Sequence, residues 1–330
     1  MSRPWIGGVL AGLLLLSACG DPSSEPETAS TPSSPRTAST THQRPAATPG
    51  ASAGGDTGGA DAGGTDSAGA DTEGADTAGA PAGRPTVLYL GDSLAMENQK
   101  VLGGLLRDEK KARYTSAPYS GTTLCDYLEG SGEDSLVPPK DKAAALVRRL
   151  RPDFVVLQFW GNAWGYTPCM DGITYDKERD EYFARYTADA GRLTDQIAEA
   201  ASGTRIVWVL QGPDPITPDR VRRVNAVYER QARASGGLLA DAGKTVSAAS
   251  ARYTWTQYLP CTAYEREHGA YCTQPASGRT ALHRDDDYLH FCLAPTTSTP
   301  KPCPVRSPGI LRITRAISQA IGRAVAAPAD

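Results

Sequence analysis

An apolar run, Val87-Leu88-Tyr89-Leu90, passes directly into Gly91-Asp92-Ser93-Leu94. Apolar runs that are continuous rather than alternating are typical of strands in a parallel sheet, where both faces are buried. Four further short apolar runs follow along the chain: Tyr114–Ala117, Phe154–Leu157, Ile206–Leu210 and Leu238–Ala240. The sequence therefore predicts five strands, and the first of them leads straight to a serine.

Between these runs, apolar residues recur at helical spacing. One such stripe comprises Ala143, Leu146, Val147 and Leu150, and another Phe183, Tyr186, Ala190, Leu193 and Ile197. Thr217-Pro218-Asp219 is typical of a helix start, with an N-cap, a proline in the first turn and an acid near the positive end of the helix dipole. Ser307-Pro308 predicts the start of a last helix. Strands that alternate with helices predict a doubly wound, three-layer α/β/α sandwich around a flavodoxin-like, five-stranded parallel sheet.

Ligands of such sheets bind at the carboxyl ends of the strands, so the residues after each strand carry the functional information. Ser93 follows the first strand, Gly121 the second and Asn162 the third. Asp287 and His290 form an Asp-x-x-His pair before the last helix. These are the groups that acyl transfer needs: a serine, a histidine to activate it, a carboxylate to orient the histidine, and donors for an oxyanion.

In these four blocks the sequence resembles the SGNH, or GDSL, hydrolase family of esterases, lipases and carbohydrate deacylases. Gly91-Asp92-Ser93-Leu94 matches the nucleophile block of the family in full, and Gly121 matches its glycine block. Asp287 and His290 match its C-terminal Asp-x-x-His. The resemblance implies the SGNH hydrolase fold.

The third block departs from the family pattern, which is usually Gly-x-Asn-Asp. Asn162 matches its asparagine, but Trp160 stands in place of the glycine and Ala163 in place of the second acid. We expect these changes to alter the loop that presents Asn162 and the way in which a substrate fits against it.

The resemblance also implies a role for each residue. Ser93 attacks an ester carbonyl, His290 relays the proton, and Asp287 orients His290. The amides of Ser93 and Gly121, together with the side chain of Asn162, hold the oxyanion. No cofactor is expected. The expected partner is an ester substrate, either an acylated envelope or external glycan or a lipid.

Other interpretations stay open. If a sugar hydroxyl replaces water, the same site is an O-acyltransferase. If the site has lost its catalytic activity, the chain is instead a non-catalytic binding lipoprotein with the fold of a hydrolase. Taken singly, Ser93 could cap the helix that follows it, and Asp285 and Asp286 compete with Asp287 for the role of the acid.

The six cysteines after the leader are Cys125, Cys169, Cys261, Cys272, Cys292 and Cys303. An even number in an exported domain predicts disulfides, whereas a zinc site would require Cys-x-x-Cys pairs, which the sequence lacks. Closeness along the chain favours the pairs Cys261–Cys272 and Cys292–Cys303. The remaining pair, Cys125–Cys169, would tie the loop after Gly121 to the loop after Asn162.

Residues 1–20 are typical of a lipoprotein signal peptide. Arg3 supplies a positive charge, Ile6–Leu16 is a short apolar core, and Leu16-Ser17-Ala18-Cys19 resembles the bacterial lipobox. In a lipobox the cysteine is lipidated and becomes the new N-terminus, although an ordinary secretory signal is the alternative. We expect an extracytoplasmic protein that is anchored to the cell membrane through the lipid on Cys19 only.

Residues 21–83 are rich in Ser, Thr, Pro, Ala, Gly and Asp, which predicts a disordered linker. Aspartates recur there every five residues from Asp56 to Asp76. We interpret this pattern as low-complexity sequence; the more specific alternative is a calcium-binding repeat. Residues 84–330 are expected to form one catalytic domain. The linker holds nine acids and two arginines, so this domain is weakly basic in a chain of net charge -3. So small and dispersed a charge argues against nucleic acid as a partner.

Overall fold

The computed structural model describes residues 84–131, 135–162, 167–249, 252–295 and 302–327. Five strands in these segments form one sheet: β1 (Thr86–Gly91), β2 (Arg113–Ser116), β3 (Phe154–Gln158), β4 (Arg205–Val209) and β5 (Leu238–Ala240). All of them pair in parallel, in the order β2-β1-β3-β4-β5. The predicted five-stranded parallel sheet is confirmed, and each strand lies within one residue of its predicted bounds.

Helices cover both faces of this sheet. On one face lie α1 (Ser93–Lys110) and α7 (Pro308–Ala326), and on the other lie α2 (Ala143–Leu150), α3 (Arg179–Ala200) and α4 (Pro218–Ser235). Two short helices, α5 (Ala242–Thr245) and α6 (Ala263–Glu267), precede α7. The three-layer α/β/α fold is therefore confirmed.

The first strand shows why its sequence is apolar throughout. Val87 and Tyr89 pack into the core under α1 and α7, whereas Leu88 and Leu90 pack into the core under α2, α3 and α4. All four side chains are fully buried. Because successive side chains of a strand point to opposite faces, a strand between two helical layers has no polar side.

The two predicted helix starts are found, but one cap differs from the prediction. Helix α4 begins at Pro218 and α7 at Pro308, as the sequence indicates. Thr217 precedes α4, yet its side chain makes no capping bond. Its hydroxyl instead donates to Asp214 Oδ2 at 2.6 Å, because this aspartate lies within reach three residues earlier.

A second, antiparallel sheet was not predicted. It consists of β6 (Tyr258–Pro260) and β7 (Arg279–Ala281), and α6 lies between its two strands. Each strand has only three residues, and one contains proline and the other arginine, so neither gives an apolar run. Short edge-type strands of this kind are fixed by their surroundings rather than by their own pattern.

Three disulfides join the cysteines in the favoured pairs. Cys125–Cys169, Cys261–Cys272 and Cys292–Cys303 have Cα separations of 5.9, 5.6 and 5.5 Å. The first bond connects two segments that are 44 residues apart, and the other two close short loops of the chain.

The predicted signal peptide, lipobox and linker, with Cys19, lie outside the described residues. None of the helices in the described segments combines the length and apolarity that a membrane crossing requires.

Candidate active site

Ser93 is the first residue of α1 and lies at the carboxyl edge of the sheet. Gly91, two residues earlier, has no room for a side chain, because a Cβ there would lie 2.1 Å from the carbonyl oxygen of Gln158 in β3. Asp92, rather than Ser93, caps the helix: its Oδ1 accepts the amide hydrogen of Leu94 at 3.0 Å. The Ser93 hydroxyl is therefore not used as a helix cap.

The structure brings Ser93, His290 and Asp287 into one chain of contacts. Ser93 Oγ lies 3.0 Å from His290 Nε2, across 197 residues of sequence. His290 Nδ1 lies 3.2 and 3.1 Å from the two carboxylate oxygens of Asp287. Asp287 Oδ1 also accepts the amide hydrogens of Leu289 and His290, at 3.2 and 3.1 Å, so the carboxylate is fixed in place.

These contacts set the charges of the pair. Burial lowers the pKa of His290, but the hydrogen bond that its Nδ1 donates to Asp287 and the negative charges of Glu97, Asp287 and Asp92 outweigh burial and raise it to about 9. Burial raises the pKa of Asp287, but the hydrogen bonds and charge of His290 outweigh it and hold that pKa well below the ordinary value. Asp287 is thus a carboxylate at any working pH, and it stabilises a protonated His290.

The two acids that compete with Asp287, and the other histidines of the described segments, have other partners. Asp285 and Asp286 are exposed. Asp285 accepts a hydrogen bond from the side chain of Gln257, and Asp286 pairs with Arg284. His268 is exposed and stacks on Tyr264. His283 is buried behind the site, where its Nδ1 donates to the His290 carbonyl oxygen at 3.0 Å.

Backbone donors face the same edge of the sheet. Gly121 has φ +77°, a conformation that favours glycine, in the loop after β2. Within the described segments, the amide hydrogens of Ser93 and Gly121 have no acceptor. Amides of this kind can donate to an oxygen of a bound molecule.

Asn162 is buried after β3, and its side chain is engaged. Its Nδ2 donates to the carbonyl oxygen of Thr122 at 3.0 Å and more weakly to Asp92 Oδ2 at 3.4 Å. The asparagine block and the glycine block are thus joined directly. An incoming oxyanion would compete first for the longer of these two bonds.

Asp92 connects the nucleophile block to the asparagine block. It is fully buried, and its Oδ2 accepts the amide hydrogen of Trp160 at 2.6 Å as well as the bond from Asn162. Burial raises its pKa to about 6, against the opposing effect of the Trp160 and Leu94 amides. The sequence alone did not indicate this role of Asp92, although an acid directly after a buried strand could have pointed to it.

Trp160, where the family pattern has glycine, is held by a buried arginine. Arg220 Cζ lies 3.4 Å from the centroid of the Trp160 ring, and Arg220 pairs with buried Asp214 at 2.8 Å. Arg220 and Tyr182 both donate to the carbonyl oxygen of Gly161, at 2.9 and 2.7 Å. The loop that leads to Asn162 is therefore clamped from α3 and α4. Ala163, the other departure, lies outside the described residues.

A cleft of about 300 Å³ opens beside His290. Its lining residues are Trp160, Pro215, Ile216, Asp286, Asp287, Tyr288, Leu289 and His290. Ile216 and Tyr288 are 62% and 48% exposed, and they give this cleft a partly apolar lining.

One cluster of potential metal ligands occurs in the described segments: Cys125, Asp126 and Cys169. The two cysteines are bonded to each other, so they cannot offer thiolates to a metal. The carboxylate of Asp126 accepts the amide hydrogens of Thr123 and Leu136, both at 2.9 Å. This cluster is structural.

No family model matches the chain, and no curated protein does. It is similar to the solved structure of a carbohydrate esterase family 3 enzyme from Talaromyces cellulolyticus, at 12% identity over 73% of this chain and 98% of that chain, with a TM-score of 0.43. It is similar to the periplasmic domain of a lipopolysaccharide acetyltransferase from Salmonella Paratyphi A, at 12% identity over 72% and 84% of the two chains, with a TM-score of 0.42.

A protein of Parabacteroides merdae named as a GDSL-like lipase is similar at 13% identity over 72% of this chain and 95% of that chain, with a TM-score of 0.41. All three TM-scores are below 0.5. The interpretation of the site therefore depends on the geometry of Ser93, His290 and Asp287.

Proposed function

We propose that the chain is a serine esterase or deacylase of the SGNH type, which hydrolyses carboxylic esters outside the cytoplasmic membrane. The observation that carries this proposal is the relay from Ser93 Oγ to His290 Nε2, at 3.0 Å, and from His290 Nδ1 to Asp287. Residues 197 positions apart in the sequence meet in this way, at the edge of the sheet where ligands of such folds bind.

The first half of the reaction transfers the acyl group to Ser93. Neutral His290 accepts the hydroxyl proton at Nε2 while Ser93 Oγ bonds to the carbonyl carbon, and the carbonyl electron pair moves onto its oxygen. Collapse of this intermediate re-forms the carbonyl and breaks its bond to the alcohol oxygen. His290 then gives its proton to the departing alcohol.

The second half releases the acid. Water takes the place of the alcohol, gives a proton to His290 and attacks the acyl-enzyme, and collapse expels Ser93 with its proton restored. In both halves the negative oxygen would be stabilised by the amides of Ser93 and Gly121 and by Asn162 Nδ2. Asp287 remains ionised and supports the positive charge that His290 carries in each transition state.

The cleft beside His290 suits the alcohol part of the ester, because the leaving oxygen must receive its proton from His290 Nε2. Tyr288 and Ile216 offer that group a partly apolar surface. An acylated envelope or external glycan, or a lipid, would present such an ester to a tethered enzyme. If a hydroxyl of a second glycan took the place of water, the same steps would make the chain an O-acyltransferase.

Two assays test this proposal. One measures initial rates with chromogenic esters of increasing acyl length, and the other measures the release of free acid from acylated polysaccharides. Ser93→Ala should lower kcat/KM at least about 10³-fold while the protein stays folded. Ser277→Ala, at an exposed serine that bonds only to Gln274, is the matched control and should keep wild-type rates.

Each other outcome has a meaning. Acyl groups that appear on an added sugar rather than in free acid would replace the hydrolase by a transferase. A folded wild type that turns over none of these esters, or a Ser93→Ala variant as active as wild type, would contradict the proposal.

A further inference from the structure

Glu97 lies one helical turn after Ser93 on α1 and is almost fully buried, with 5% exposure. Its two carboxylate oxygens accept the amide hydrogens of Phe291 and Cys292, both at 3.0 Å. These two residues directly follow His290. The same helix therefore carries Ser93 at its first residue and, one turn later, Glu97, whose side chain binds the backbone next to His290.

The backbone of Glu97 makes a second contact with the same region. The carbonyl oxygen of Glu97 accepts the amide hydrogen of Cys303 at 3.2 Å, and Cys303 is bonded to Cys292. Side chain and backbone of the same residue thus hold both halves of a disulfide whose first cysteine lies two residues after His290. His283 also donates to the His290 carbonyl oxygen, which gives this segment a further fixed contact.

We propose that Glu97 is a positioning residue, which locks the segment after His290 onto the helix that begins at Ser93 and so fixes the separation of the two side chains. Its catalytic meaning rests on the proposed function, whereas its effect on His290 can be measured without turnover.

The shape of the contact requires a carboxylate. Two amide hydrogens converge on two oxygens, and glutamine has only one oxygen to offer. Its amide group would face one of the N–H donors and leave that donor without an acceptor, which is costly for a buried group. Aspartate keeps the charge but is one methylene shorter, so it cannot reach both amides in the same position.

Charge gives the proposal an independent readout. The groups that face His290 are Asp287 from its own segment, Asp92 and Glu97 from the segment around the start of α1, and His283 from behind. Among these, the negative charge of Glu97 is one cause of the raised pKa of His290.

Glu97 is itself affected by its surroundings. Burial raises the pKa of Glu97 to about 7, while the charge of His290 and the two amides oppose that rise. Asp287 and Tyr89 face it too.

The experiment compares Glu97→Gln, Glu97→Asp and Glu265→Gln with wild type. Glu265 is the matched control, because it is also buried, accepts the amide hydrogen of Thr262 at 2.8 Å and pairs with Arg312. Three quantities are measured: kcat and KM for a small ester, the pH at which activity falls on the acid side, and the melting temperature. The pKa of His290 is read separately by NMR, from the imidazole proton shared with Asp287, in a Ser93→Ala background.

Glu97→Gln should lower kcat by roughly 10–100-fold with little change in KM, since a misplaced base slows chemistry more than binding. It should also move the pKa of His290, and the acid limb with it, to lower pH, because a nearby negative charge is gone. Glu97→Asp should lower kcat but keep the acid limb near its wild-type position. Glu265→Gln should lower the melting temperature and leave both kcat and the acid limb unchanged.

Wild-type kcat and an unmoved His290 pKa in folded Glu97→Gln would overturn the proposal. If Glu97→Gln does not fold, unchanged kcat in Glu97→Asp would overturn it instead. If the wild type has no esterase activity, the proposed function fails, and the NMR comparison still shows whether Glu97 controls His290.

Discussion

In the proposed mechanism, the reactivity of the site depends on the protonation of one side chain, His290. Only neutral His290 can take the proton of Ser93, and the hydrogen bond and charges around the imidazole raise its pKa to about 9 despite burial. A histidine whose pKa is raised stays protonated, and therefore inactive as a base, to a higher pH than usual. Asp287 stays ionised over the same range because its pKa is lowered.

We therefore predict an alkaline optimum. In the free enzyme kcat/KM should rise with pH through a midpoint near pH 9 and level off only above it, whereas an ordinary histidine would give a midpoint at about 6.5. The measurement is a profile of kcat/KM for an uncharged ester, corrected for its spontaneous hydrolysis. A profile already flat at neutral pH would mean that the surroundings of His290 do not raise its pKa.

Some residues of the site could be predicted from the sequence and others could not. Asp287 and His290 could be predicted because they are three residues apart. At this spacing one carboxylate reaches both the imidazole and the backbone of a single turn. The role of Glu97 could not be predicted from the sequence, because its partners are backbone amides 194 and 195 residues away, and any residue type supplies such amides. A glutamate on the buried face of an amphipathic helix was the only signal.

Among the larger elements, the loops after β2 and β3 are joined twice. Cys125 lies in the short helical turn Leu124–Tyr127, Cys169 lies in the turn Pro168–Met170, and their disulfide connects the two. Asn162 adds a hydrogen bond to the Thr122 carbonyl. The predicted Cys125–Cys169 bond is confirmed, and it lies between the loops that carry Gly121 and Asn162.

We predict that this bond supports turnover as well as folding. The double variant Cys125→Ser, Cys169→Ser should lower kcat per folded molecule, because Gly121 and Asn162 lose a tie between them. Its free energy of unfolding should fall by about 2–4 kcal/mol. The matched control, Cys261→Ser with Cys272→Ser, removes a bond in the β6–β7 region and should lower stability alone. Equal kcat per folded molecule in both double variants would make the Cys125–Cys169 bond purely structural.

The strands of the main sheet were predictable for a physical reason that the second sheet lacks. A strand such as Phe154–Gln158 is buried on both faces, so every position must be apolar or hydrogen-bonded and the pattern is visible. The second sheet consists of just two short, partly exposed strands, Tyr258–Pro260 and Arg279–Ala281, and Arg279 also bridges to Gln274. Their pairing depends on contacts elsewhere in the chain, which no local pattern specifies.

For the molecule as a whole, we predict that location and chemistry are separable. The predicted lipobox at Leu16–Cys19 and the predicted linker to residue 83 would form an anchor that is independent of the predicted catalytic domain. Cys19→Ala should therefore move the protein from the membrane fraction to the soluble fraction with unchanged specific activity. The variant and wild type are compared by fractionation and by ester hydrolysis in each fraction. Retention of the variant on membranes would mean that the leader stays uncleaved and acts as the anchor.

The proposed mechanism requires that Ser93 becomes acylated. The most direct test is mass spectrometry of the protein after a brief reaction with a small ester and an acid quench, followed by peptide mapping. We predict a mass gain of one acyl group on the peptide that contains Ser93, with no gain in Ser93→Ala. An acyl group on another residue, or turnover without any acyl-enzyme and without loss in Ser93→Ala, would contradict it.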